Sequence, residues 1–204
     1  MKIGIYGGSF NPVHNGHVNA AKTFQEELGL DKVLIIPAYC APHKKGLAMT
    51  PSEHRLNMCH LAFDGLPGFE VSDIEIQRAD DGYMVDTVMQ LREMYPDDEL
   101  YLLIGGDMLL FFRKWYCWHR LLEETIVAAA ARNWEDDAAL EAEAALLRSE
   151  GGEVVIVPID VKEISSTQIR EAVGRSDDIS ALVPEGVEEY IWNHYLYYGD
   201  DSES

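Results

Sequence analysis

Short apolar runs bounded by glycine or proline alternate with longer segments whose apolar residues recur every third or fourth position. Ile3 to Tyr6 reads as a buried strand, and so do Lys32 to Pro37, Leu100 to Ile104, Thr125 to Ala131 and Val154 to Val157. From Asn15 onward, Val18, Ala21, Phe24 and Leu28 fall at helical spacing. Thr50-Pro51-Ser52-Glu53 predicts a helix start with Thr50 as cap and Pro51 in the first position, and Leu56, Cys59 and Phe63 supply that helix's apolar face. Phe69 to Ile76 alternates like an edge strand. Asp80-Asp81-Gly82-Tyr83 turns into an amphipathic helix carrying Val85, Val88, Met89 and Leu91. Glu135 to Glu150 predicts a solvated outer helix with a stripe of Leu140, Leu146 and Leu147, and Leu182-Val183-Pro184-Glu185 opens a final helix through Tyr195. Strands alternating with helices imply an α/β fold, a Rossmann-like parallel sheet with helices on both faces and right-handed connections. With no repeat and no linker, residues 1–198 are expected to form one domain and residues 199–204 a disordered acidic tail.

Hydrophobic residues make up 47% of the 204, ample for a core, and no apolar run approaches the roughly 20 residues of a membrane span. A strand at the very start leaves no signal-peptide pattern. Cys40, Cys59 and Cys117 are odd in number and unrelated in spacing, which suits reduced thiols in a cytoplasm better than a disulfide framework. The formal charge of −20 argues against a nucleic-acid surface, since a polyanion would be repelled. That charge is uneven. Residues 1–50 hold five lysines against Glu26, Glu27 and Asp31, a local balance of +2, leaving −22 for the other 154. A small anion could therefore bind at the N-terminal end.

The candidate chemistry begins there. The strand Ile3 to Tyr6 empties into Gly7-Gly8-Ser9, where missing side chains let a ligand approach the backbone closely. Pro12 turns the chain, and His14 and His17 stand at the helix entry, where unpaired N–H groups and the dipole favour an anion. No lysine follows the glycines, so this is neither the Gly-Lys-Ser/Thr phosphate loop nor the Gly-x-Gly-x-x-Gly fingerprint. Near the other end, Ile164-Ser165-Ser166-Thr167-Gln168-Ile169-Arg170 sets three hydroxyls before a helix, with Arg170 on the side of Ser166 and Thr167. Hydroxyls, free N–H groups and a guanidinium together suit phosphate oxygens. The apolar strand before Gly105-Gly106-Asp107 offers an acid that could accept ribose hydroxyls or cap a short helix. Trp115 and Tyr116, beside Lys114, are the aromatics expected to face a cleft. The basic loop around Pro42-His43-Lys44 follows a strand's C-terminal end and is a second candidate anion site. His54 with His60, and Cys117 with His119, do not have metal-pair spacing or company.

Gly-Gly-Ser-Phe-Asn-Pro-Val-His-Asn-Gly-His resembles the first signature of the nucleotidyltransferases with a His-x-Gly-His motif, and Ile-Ser-Ser-Thr-x-Ile-Arg resembles their closing signature. Pro42-His43-Lys44, Tyr83-Met84-Val85-Asp86-Thr87, Ile104-Gly105-Gly106-Asp107 and Lys114-Trp115-Tyr116 narrow the resemblance to the bacterial nicotinate mononucleotide adenylyltransferases. The resemblance implies transfer of AMP from ATP to nicotinate mononucleotide, giving deamido-NAD and pyrophosphate. It implies catalytic roles for His14, His17 and Arg170. It assigns ATP to Gly8, Ser9, Phe10, Gly105, Asp107, Ser165, Ser166 and Thr167. The mononucleotide falls to His43, Lys44, Met84, Thr87, Trp115 and Tyr116. Mg2+ would arrive with ATP and bridge phosphate oxygens through water, since the sequence offers no carboxylate cage. Where relatives carry Thr, this chain has Met84. A transferase acting on nicotinamide mononucleotide or phosphopantetheine, and a non-catalytic nucleotide-binding regulator, stay open as alternatives, as does a homo-oligomer.

Overall fold

The structure is a computed structural model that describes residues 1–40, 49–79, 82–131, 137–159 and 164–198. Its centre is strand β1 (Lys2–Gly8), flanked by β2 (Lys32–Pro37) on one side and β4 (Glu99–Gly105) on the other. β3 (Phe69–Val71) lies outside β2, and β5 (Ile126–Ala131) and β6 (Glu153–Pro158) extend the sheet beyond β4. All five pairings are parallel, and the order is 3-2-1-4-5-6. In this doubly wound arrangement the chain reverses direction across the sheet between β1 and β4, and ligands bind beyond the strands' C-terminal ends at that crevice.

The period of two along each strand sorts its side chains onto two faces. Val33, Ile35, Tyr101, Leu103, Ala128 and Ala130 face one apolar layer, and Leu34, Ile36, Leu100, Leu102, Ile104, Val127 and Ala129 the other. The first layer is covered by α1 (Asn15–Leu28), α2 (Ser52–Phe63), α8 (Ser166–Gly174) and α9 (Glu185–Asn193). The second is covered by α3 (Ile74–Arg78), α4 (Met84–Met94), α5 (Gly106–Phe111), α6 (Trp118–Glu124) and α7 (Asp137–Ser149). Both faces of the sheet are sealed, which is why its strands read as continuous apolar runs.

Three expectations need correction. The alternation from Phe69 to Ile76 yields only three residues of strand, because Ile74–Arg78 is a helix whose Ile74 and Glu75 are buried. Ser72 Oγ accepts from the Ile74 N–H (3.4 Å), and Gln77 donates to Asp73 (2.9 Å), so local polar contacts favour that turn. Thr50 does not cap α2. Pro51 holds that position, while the Thr50 N–H and carbonyl are drawn into contacts with Asn11 and Arg55. The stripe of α7 is Leu140, Ala144 and Leu147; Leu146 is 47% exposed.

Candidate active site

Gly7 and Gly8 close β1, and the chain then crosses the sheet's end toward α1. Phe10 adopts φ +43°, a region that a large L-residue rarely occupies, and its ring is nevertheless buried. That ring packs edge-on against Tyr6 (5.8 Å) and His17 (5.0 Å), so apolar contact holds the unusual backbone. Phe10 therefore reaches a ligand only through its main chain.

His14 and His17 form one unit. The His17 N–H donates to His14 Nδ1 (3.3 Å), and the His14 N–H donates to His17 Nδ1 (3.2 Å), so two imidazoles fill both roles of a capping box. Their rings stack with centroids 3.6 Å apart and planes 22° apart. A neutral imidazole carries one N–H, and a backbone N–H can only donate, so each ring's proton resides on Nε2. The cap thus fixes the tautomer, and each histidine offers Nε2–H as a donor. Gly16 fits closely under this pair: a Cβ there would lie 3.0 Å from His14 Nδ1 and 3.1 Å from Cε1, so the ring would have to shift by a few tenths of an ångström.

The closing signature folds against this unit. Ser165 caps α8 by accepting from the Gln168 N–H (3.1 Å). Ser166 Oγ donates to the Pro12 carbonyl (2.9 Å), and Arg170 donates to the Asn11 carbonyl (2.9 Å) and to Thr167 Oγ1 (3.2 Å). Asn15 reaches the same end of the chain, its N–H donating to the Leu182 carbonyl (2.9 Å). Segments more than 150 residues apart thereby enclose a cleft of about 400 Å³. Ser9, Asn11, His14, His17, Gly105, Ser165, Ser166, Thr167 and Arg170 line it, and among the described residues no Asp or Glu does. On a chain of charge −20, that local composition suits an anion. The N-termini of α1 and α8 both open at this cleft, adding positive dipole ends.

The remaining candidates distribute unevenly. Gly8 and Asp107 are not among the cleft-lining residues; Asp107 is exposed in the first turn of α5. Gly105 supplies the N-terminal cap position of α5, and Gly106 packs so tightly on β5 that a Cβ would come 2.7 Å from the Ala130 carbonyl. Met84, Trp115 and Tyr116 gather on the other face of the sheet. The Met84 methyl sits over Gly7, filling the place of a Cβ, while Trp115 packs on Phe112 (5.4 Å) and Tyr116 on Tyr83 (4.7 Å). Thr87 is fully buried, donating to Glu75 (2.7 Å) and accepting from Arg78 (3.0 Å), so its hydroxyl supports the start of α4. His43 and Lys44 lie outside the described residues. Among the described residues no group of three or more His, Cys, Asp or Glu side chains could hold a metal, and no helix is long and apolar enough to cross a membrane.

Sequence reasoning missed Arg55, the largest fully buried side chain. Its guanidinium donates to the carbonyls of Thr50 (2.9 Å), Ser9 (2.8 Å) and Tyr39 (3.2 Å). Burial lowers its pKa from the usual arginine value, a measure of how completely the charge has left water. Nothing local signals this, because Glu53-His54-Arg55 reads as the exposed first turn of a helix.

A doubly wound sheet with a phosphate-suited cleft at its switch point defines a nucleotide-handling α/β protein. Residues 5–172 match the cytidylyltransferase-like family model. The probable nicotinate-nucleotide adenylyltransferases of Shewanella pealeana and Thermomicrobium roseum are 36% and 38% identical to this chain. The alignments cover 99% and 96% of the chain and 98% and 91% of those proteins. The structure of the Plasmodium falciparum nicotinic acid mononucleotide adenylyltransferase in complex with NaAD has the same fold, with a TM-score of 0.75 at 18% identity over 96% of this chain and 97% of that one. The chain belongs to the cytidylyltransferase-like family and, within it, to the nicotinate-nucleotide adenylyltransferases.

Proposed function

We propose that this protein transfers AMP from ATP to nicotinate mononucleotide, forming deamido-NAD and pyrophosphate, with residues 1–198 acting as one catalytic unit. The observation that carries the assignment of the site is the joining of the two signatures, through Arg170 to the Asn11 carbonyl and Ser166 to the Pro12 carbonyl, around one cleft.

In this reading an oxygen of the mononucleotide phosphate attacks the α-phosphorus of ATP. The new P–O bond forms in line with the bond to the β-phosphate bridging oxygen, which breaks and leaves with its electron pair as pyrophosphate. The attacking phosphate is already an anion, so the reaction needs neither a covalent protein intermediate nor a strong base. It depends on alignment and on neutralising charge as it shifts toward the leaving group. His14 and His17 would donate Nε2–H to the phosphates, their tautomers set in advance by the cap. Arg170, Thr167, Ser165 and the first N–H groups of α8 would hold the departing pyrophosphate. Ser166 would contribute its backbone N–H, because its hydroxyl proton is committed to Pro12.

Gly105 and Asp107 would meet the adenosine part. Met84, Trp115 and Tyr116 would form the pyridine end over Gly7, with Thr87 behind them as support, and His43 and Lys44 would contact the mononucleotide phosphate. Mg2+ enters as part of the ATP substrate; among the described residues the lining offers it hydroxyls and no carboxylates, so its ligands would be phosphate oxygens and water. Purified protein given ATP, Mg2+ and nicotinate mononucleotide should release pyrophosphate, and should do so faster than with the amide mononucleotide or phosphopantetheine. ATP binding with no pyrophosphate release from any of these acceptors would refute the assignment.

A further inference from the structure

We propose that Arg55 is a positioning residue for the phosphate loop, holding the Ser9 carbonyl behind the loop so that the triphosphate meets N–H donors; this rests on the function argued above. The carbonyls of this loop would repel a phosphate if they faced it without a donor. Four of them are occupied by donors from elsewhere in the fold. The Gly8 carbonyl accepts from the Ala38 N–H (2.9 Å), Ser9 from Arg55 (2.8 Å), Asn11 from Arg170 (2.9 Å) and Pro12 from Ser166 Oγ (2.9 Å). Arg170 and Ser166 line the cleft, whereas Arg55 does not. It acts from the far side.

In a trans peptide the N–H points opposite to the carbonyl. With the Ser9 carbonyl turned to Arg55, the N–H of Phe10 is directed away from Arg55. Phe10 is also the residue held at φ +43°, so this peptide is the one least able to keep its orientation unaided. The other two bonds of Arg55 end on Tyr39, just past β2, and Thr50, just before α2. The Thr50 N–H in turn donates to Asn11 Oδ1 (3.3 Å), which also accepts from the Tyr197 hydroxyl (3.1 Å). One planar, five-donor cation thus ties the ends of two paired strands, at Ser9 and Tyr39, to the start of α2 at Thr50. Among the described residues no carboxylate pairs with it. The buried Glu75 carboxylate acts on its charge without forming an ion pair with it, so the guanidinium's hydrogen bonds all go to the three carbonyls.

Arg55→Lys keeps the charge but cannot span three diverging carbonyls. We expect its Kd and KM for ATP to rise about tenfold, roughly one lost hydrogen bond to a charged group, with a smaller change in kcat. Leu147→Ala, a buried position on α7 far from the cleft, serves as a matched destabilised control and should keep its ATP affinity within twofold. An Arg55→Lys protein with ATP affinity within twofold of wild type, while wild type turns over normally, overturns the proposal and leaves the function standing. Wild-type protein that neither binds ATP nor releases pyrophosphate removes both. If Arg55→Lys does not fold, the wild-type protein decides. Linkage requires a non-hydrolysable ATP analogue to slow solvent exchange of the Arg55 guanidinium protons measured by NMR, and unchanged exchange overturns the proposal.

Discussion

Two buried or half-buried arginines stand at opposite ends of the same sheet, and they are held in opposite ways. Arg92, beside the strands' N-terminal ends, pairs with Glu124 (3.0 Å) and also donates to the carbonyls of Tyr95, Asp98 and Glu124. Asp98, Glu99, Glu123 and Glu153 surround it, so its charge is spent within its own neighbourhood. Arg55, at the C-terminal ends, is held by three carbonyls and no carboxylate among the described residues. The same side chain thus serves as an internal counter-ion at one pole and as a brace for backbone carbonyls at the other. Among the described residues the acids gather at the first pole and none lines the cleft.

The largest expected effect tests the cleft pole directly. His17→Ala should lower kcat by about 10² to 10³, the loss seen when one preorganised donor to developing charge is removed, as measured by pyrophosphate release; near wild-type turnover would take the histidines out of the mechanism. Gly16→Ala should be milder. The new methyl displaces the His14 ring, costing about 1 kcal/mol of cap stability and about tenfold in kcat/KM, and thermal melts with steady-state kinetics would read both. At the other pole Arg92→Ala should cost about 2 kcal/mol in unfolding free energy, or about 5 °C in Tm for a chain of this size, with KM for ATP within twofold of wild type. A rise in that KM comparable to Arg55→Lys would erase the distinction between the poles. The smallest effect concerns Cys59, whose thiol is pushed up by burial even though the nearby Arg55 charge pulls it down. Exposed Cys117 should react with a thiol reagent in the native state, and Cys59 only after denaturant is added.

The four inner strands were legible because each is buried on both faces and therefore largely apolar, edge strand β6 was legible from its run of valine and isoleucine although Val155 is exposed, and all five long ones fall within two residues of expectation. Helix α6 (Trp118–Glu124) was hidden behind the aromatic-rich run Phe111 to Trp118, because it lacks a side-chain cap and spans barely two turns. α3 was hidden because five residues are too few to show a helical period against the alternating one. In the site, the two signatures could be read because each combines several residue types in a few positions. Arg55 could not. Its burial depends on carbonyls contributed by residues 9, 39 and 50, and carbonyls carry no mark in a sequence. The partners of Thr87 were hidden for a related reason: a hydroxyl that faces Glu75 and Arg78 looks the same on paper as one that faces a ligand.

Because the cleft is closed by Ser166 and Arg170, it comes into being only once α8 has been made and has folded back onto the loop after β1. A nascent or truncated chain ending before α8 would possess both histidines and the glycine turn yet lack the clasp that completes them. Such fragments should neither sequester nor consume ATP, and reactivity arrives only with the segment that supplies the clasp.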